Sequence, residues 1–154
     1  MLDRVFKIKL LSPDAIVPTK IGATWQLYAD SFAHAGMQDV TFDLGKSFYG
    51  NKLNGEAAKY GYILQPRGRI LVRTGLSFES TPEYAAEILH MLKPTPTALH
   101  CQGLLIEHKF IFDMDEIDFV AINLGHKPIE IKKGEAVAQM LITSVNPAQI
   151  QIIN

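Results

Sequence analysis

The chain has 154 residues, 47% of them hydrophobic and 20% charged, which fits one globular domain and excludes wholesale disorder. A net charge of −1 offers no general attraction to nucleic acid or to an anionic membrane. One cysteine, Cys101, excludes an internal disulfide and points to a reducing compartment, the cytoplasm.

The N-terminal "MLDRVFKIKLLSPD" has only short apolar runs broken by charge, so it predicts neither a signal peptide nor a membrane span. Within it "RVFKIKLL" predicts a strand that "SPD" ends, and "GATWQLYAD" predicts a second. From Phe32 to Tyr60 the turn chemistry of "GN" and "NG" predicts an irregular excursion. Strands at Tyr62–Leu64 and Ile70–Arg73 flank a turn at Pro66–Gly68. "PEYAAEILHML", Pro82 to Leu92, reads either as a short helix opening on proline or as a strand. "KPTPTALH" cannot be helix interior. "GLLIEHKFIFDMDEIDFVAINLG" predicts two strands around an acidic turn. "PIEIKKGEAVAQMLITSV" and "AQIQIIN" predict a terminal pair. Roughly ten short strands, with turns every 8–12 residues or so, predict a β-barrel or sandwich.

"INLGHKPIEIKKGEAVAQMLI", Ile122 to Ile142, resembles the fourth motif region of the trimeric dUTPase family, and dCTP deaminases share the pattern. Three more stretches are collinear with that family. "MLDRVFKIKLLSPDAIVPTK" resembles its first strand and the proline beyond. "LQPRGRILVRTGLSFESTPEYAAEIL" resembles its "PGxxxLVPTGLxxxxPxGYxxxI" segment, and "GLLIEHKFIF" stands where the family has "GVIDxxYRG". The resemblance implies an all-β distorted jelly-roll barrel of the dUTPase type, one domain over 1–154, and a homotrimer with ligand sites at subunit boundaries. It also favours the strand reading of Pro82–Leu92.

The same resemblance implies a depleted site. Gln26 stands where the family has an Asp that anchors hydrated magnesium, and a neutral amide is a poorer Mg²⁺ partner. Lys93, Thr95 and Thr97 occupy the place of the phosphate-binding second motif. Glu107 aligns with the Asp that activates water, and Phe110 stands nearest the Tyr that packs on deoxyribose, in a hairpin lengthened by roughly four residues. Gln139 and Gly134 keep the fourth motif, while a glycine-rich closing arm is missing after "AQIQIIN".

The expectation is therefore a non-catalytic protein that holds a nucleotide-like ligand or a host protein partner, the kind of chain that suits a phage or viral genome. Its ligand residues are Gln26, Lys93, Thr95, Thr97, His108, Phe110, Phe112 and Gln139. Neither nucleic acid nor membrane is a partner, no protein-held metal is expected, and no cofactor is required. The alternative is an active deoxynucleotide diphosphatase (dUTP to dUMP and diphosphate) or a deaminase, with Glu107 as general base and Mg²⁺ as cofactor. A third reading is a purely structural trimer.

Plain structural roles compete with each assignment. Gln139 can satisfy backbone groups at a subunit boundary. Trp25, Phe110 and Phe112 can be core rather than a stacking platform. His90, His100, Cys101, Glu107 and His108 include zinc-ligand types, but at no standard spacing. Arg69 and Arg73 share one face of an extended segment, as a phosphate clamp or as an exposed charged strand edge.

Overall fold

The computed structural model describes residues 6–33, 61–79, 84–89, 103–111, 115–144 and 150–154. Twelve strands are found there and no helix. They are β1 (Lys7–Leu10), β2 (Thr19–Ile21), β3 (Thr24–Tyr28), β4 (Ser31–Ala33), β5 (Gly61–Leu64) and β6 (Arg69–Glu79). Then come β7 (Tyr84–Leu89), β8 (Leu104–Ile106), β9 (Lys109–Ile111), β10 (Glu116–Asn123), β11 (Ile129–Lys132) and β12 (Ala136–Ser144). All pairings are antiparallel. One five-stranded sheet runs β1-β6-β10-β8 with β4 also on β6; another runs β2-β3-β12-β7-β9; β5 and β11 form a short pair. This is the all-β barrel that the sequence predicts.

Period-two patterning builds the core. In β10 Ile117, Phe119, Ala121 and Asn123 are buried, while the residues between them are half-exposed. In β6 Ile70, Val72, Thr74, Leu76 and Phe78 point inward. Each fully buried Ile, Leu or Phe side chain contributes about 1.5–3 kcal/mol through its removal from water. Two polar side chains are buried with partners. The Thr74 hydroxyl donates to the Ile117 carbonyl at 2.6 Å. Asn123 donates its amide to the carbonyls of Leu64 and Lys127 and accepts from the Gly125 N–H.

Over its described part, Tyr84–Leu89, the Pro82–Leu92 stretch is the strand β7, the reading that the resemblance favours. Three details differ from the sequence reading. β8 and β9 are separate strands in different sheets, split at Glu107–His108, because Ala121 and Val120 engage one half and β7 the other. "AQIQIIN" forms no second member of a terminal pair within its described part. Residues 150–154 carry no strand, and β12 pairs instead with β3 and β7. Arg69 and Arg73 lie on β6, which is flanked by β1, β4 and β10, and not on a sheet edge. Most of the predicted Phe32–Tyr60 excursion lies outside the described residues, as do His90, Lys93, Thr95, Thr97, His100, Cys101 and Phe112.

Candidate active site

Strand parity decides which side chains share a surface. Gln26 of β3 and Gln139 of β12 are direct register partners. Gln139 is also opposite Leu89 of β7, and Glu87 is opposite both Leu141 and Phe110. Counting by two along each strand, Gln26, Gln139 and Phe110 fall on the same face of this sheet, and the His108 ring, just before β9, packs on Phe110. From β3 to β9 there are three strand spacings, about 14 Å. Residues from three distant segments thus form one strip.

At one end of the strip the side chains are tightly bonded. Gln26 donates its amide to the Tyr28 hydroxyl at 3.1 Å, and that hydroxyl is 2.8 Å from Thr19 Oγ1. Thr24 Oγ1 lies 3.1 Å from Gln139 Oε1 and 3.0 Å from the Ile21 carbonyl, and its one proton is shared between these two acceptors. Gln26 is 8% exposed, yet its Oε1 is buried without a hydrogen-bond partner among the described residues. A buried polar atom in that state costs about 1–3 kcal/mol. Thr24, Gln26 and Tyr28 alternate along β3, and that period of two was the signal in the sequence for this polar cluster, which the sequence reading passed over.

The other end is an open edge. β9 is the last strand of its sheet among the described residues. Phe110 there is 46% exposed, so it is not core, and its ring meets that of His108 edge to face at 4.9 Å. Trp25, by contrast, packs against the core and borders an apolar groove with Phe6, Ile8, Val17, Met140 and Ile142.

Glu107 stands at the rim between the two sheets. Its N–H donates to the Val120 carbonyl at 2.9 Å, and its carboxylate accepts from Arg69 Nη2 at 3.3 Å. A cleft of about 440 Å³ opens here, floored by Leu71 and Val120 and walled by Arg69, Glu107, His108, Lys109 and Asp118. Arg73 makes a two-pronged bond to Glu116, at 3.0 and 2.8 Å, which holds the guanidinium above its ordinary pKa. Both arginines face carboxylates, so the pair does not form the paired phosphate clamp that their spacing suggested.

The described residues do not fit a magnesium ion held by the protein: Gln26 is a neutral amide, and the buried carboxylate of Asp30 has Lys133 Nζ at 3.7 Å. Among the described residues no three His, Cys, Asp or Glu side chains converge as a metal site; His90, His100 and Cys101 of the zinc reading lie outside them.

The dUTPase family model matches residues 57–154, more than half of the chain. The chain belongs to the dUTPase family. It is 35% identical over 92 residues to the deoxyuridine 5'-triphosphate nucleotidohydrolase of Hydrogenobaculum sp., covering 57% of this chain and 61% of that one. It is 37% identical over 79 residues to the enzyme of the same name from Caldanaerobacter subterraneus, covering 49% and 51%. This dUTPase-family chain therefore spans about half to three-fifths of the curated relatives it matches. In fold it is similar to the dUTPase of phage phi11 of S. aureus, described with a structural Mg(II) ion, with a TM-score of 0.66, 11% identity and 97% of both chains covered. It is likewise similar to the Staphylococcus bacteriophage 80alpha dUTPase with dUPNHPP, at TM-score 0.66 and 13% identity over 98% of this chain and 89% of that one.

These relatives overturn one expectation. The sequence reading took Gln26, the altered second motif and the missing arm as signs of a protein that binds without hydrolysing. The relatives matched in sequence are named as nucleotidohydrolases, which favours the enzymatic alternative. Departures at single positions such as Gln26 weigh less than a family match that extends over the whole of 57–154.

Proposed function

We propose that this chain hydrolyses dUTP to dUMP and diphosphate, with Glu107 as general base. The observation that carries this reading is the single face shared by Gln26, Gln139 and Phe110, with the His108 ring on Phe110 and Glu107 beside His108 at the corner between the sheets, in a member of the dUTPase family. In the step itself the Glu107 carboxylate takes a proton from a water molecule as the water oxygen bonds to the α-phosphorus. The bond from that phosphorus to the bridging oxygen breaks, and diphosphate leaves with the electron pair. Phe110 and His108 offer ring surface to the nucleoside. Gln139 and Gln26 offer amide groups to the phosphates. No step is assigned to magnesium, because the described residues supply no carboxylate set for it. The working form in this reading is a cytoplasmic homotrimer.

The experiment is diphosphate release from dUTP by the purified protein, beside the Glu107→Gln variant and with dCTP as competing substrate. We expect turnover of dUTP by the wild type and a loss of about 10²–10⁴ in kcat in the variant, the usual worth of a positioned general base. Equal turnover by both proteins would remove Glu107 from that role. No turnover by the wild type would overturn the reading.

A further inference from the structure

Glu107 and His108 form a corner at which the chain leaves one sheet for the other, and two ion pairs of opposite polarity straddle it. On the near side the Glu107 carboxylate accepts from Arg69 of β6 at 3.3 Å. On the far side Lys109 of β9 donates to the Asp118 carboxylate of β10. The anchoring strands are themselves fixed. β6 and β10 are paired over Arg69–Arg73, and their inward residues Ile70, Val72, Phe119 and Ala121 are 0% exposed.

The four side chains are 37%, 52%, 43% and 18% exposed, and ion pairs this open add little to folding stability. Their consequence is positional. Glu107 lies outside both ladders, and among the described residues its N–H bonds to the Val120 carbonyl. Without side-chain restraint its carboxylate would sweep the rim of the cleft. With one pair on each side of the corner, the backbone at 107–109 is tied to β6 and β10, two neighbouring strands of the sheet that holds β8, and the carboxylate is held towards β6.

We propose that Arg69, Lys109 and Asp118 are positioning residues for the hydrolysis, a two-sided clamp that fixes where the Glu107 carboxylate meets the attacking water. This rests on the dUTP reading above. Arg69 acts on Glu107 directly. Lys109 and Asp118 act through the backbone of the corner, and a displacement of about 1 Å at a reacting group can cost about 10²-fold in rate.

The test is steady-state hydrolysis of dUTP by the wild type, Lys109→Met, Asp118→Asn, Arg69→Met, Arg69→Lys and the charge-swapped double variant Lys109→Asp with Asp118→Lys. We expect each single variant at Lys109 or Asp118, and Arg69→Met, to lower kcat by about 10–100-fold with KM changed by no more than about threefold. Arg69→Lys should recover part of the loss and the swap most of it, since each restores a bond in the same place. Thermal midpoints should stay within about 4 °C of wild type, which separates positioning from unfolding. Single variants with wild-type kcat, or a swap no better than its parents, would overturn the clamp while leaving the dUTP reading intact. A wild type without turnover would remove the dUTP reading and the clamp with it.

Discussion

Gln26 and Gln139 are direct partners in the register of β3 and β12, and the carbonyl oxygen of Gln26 is buried there without a hydrogen-bond partner among the described residues. An amide that satisfies only its donor half pays a folding cost that a methionine of similar length would not. Gln26→Met removes the orphaned oxygen and forfeits one bond to Tyr28, whose hydroxyl keeps Thr19. The variant should be as stable as the wild type or up to about 2 kcal/mol more stable in urea unfolding. Its KM for dUTP should rise about tenfold, the equivalent of one lost hydrogen bond. A KM equal to that of the wild type would remove Gln26 from the substrate site.

Gly103 leads into β8 with φ of 99°, and a Cβ there would meet the backbone N and Cα of Gly125 at 2.8 and 2.9 Å. Both contacts are main chain, so no side chain can swing aside. Gly103→Ala should cost about 1–3 kcal/mol from the backbone conformation alone. It should also displace the strand that delivers Glu107. Thermal unfolding and kcat measured together should fall together; an unchanged pair would mean that the Leu124–Gly125 turn yields freely.

Lys133 donates to Asp14 at 2.9 Å and stands 3.7 Å from the buried Asp30. The bond to Asp14, with the charge of Asp30 added, raises its ammonium above the ordinary 10.5. A raised lysine stabilises the fold fully below its unfolded pKa, and the contribution disappears as pH climbs through the higher folded value. Stability of the wild type should therefore decline on the alkaline side, above about pH 10.5. Lys133→Met should flatten that decline and, by leaving Asp30 without its cation, cost about 1–3 kcal/mol at neutral pH. Urea midpoints between about pH 8 and pH 12 check both limbs.

Ile150, Ile152 and Ile153 are 93%, 85% and 85% exposed in the single protomer, and an apolar groove lies among Phe6, Trp25, Met140 and Ile142. Apolar surface left open on both counts favours association. Light scattering in dilute solution should give three times 17.1 kDa. Deleting residues 150–154 should lower that mass. A stable monomer of the intact chain would overturn the homotrimer.

The strands with strict alternation were legible in the sequence. In Glu116–Asn123 polar and apolar residues alternate from Glu116 to Phe119, and burial keeps the same period to the end, where Ile122 is half-exposed and Asn123 buried. The shortest strands were not. β2 and β4 have three residues each, too few to show a period, and exist because β3 and β6 supply their hydrogen bonds. The split between β8 and β9 was equally hidden, since "LLIEHKFI" carries no turn residue and only the two neighbouring sheets divide it. For the site, the resemblance singled out Gln26, Gln139 and Glu107 one at a time. Their relation depends on register, and register is set by pairings between segments more than 100 residues apart, such as Thr24 with Gln139. Arg69 was noticed for the wrong anion: local sequence shows a cation, and only the fold shows the carboxylate facing it.

The position of β12 between β3 and β7 has a consequence for the chain as it is made. Synthesis runs from the N-terminus, so the strand that belongs in the middle of the second sheet emerges after both of its neighbours. Until Ala136–Ser144 leaves the ribosome, β3 and β7 each present an unpaired row of backbone N–H and C=O groups. A nascent chain stalled before that point exposes two open edges at once, each able to pair with another unfinished copy. Truncation inside Ala136–Ser144 thus removes a central strand rather than a tail, and its expected product is aggregate rather than a smaller barrel.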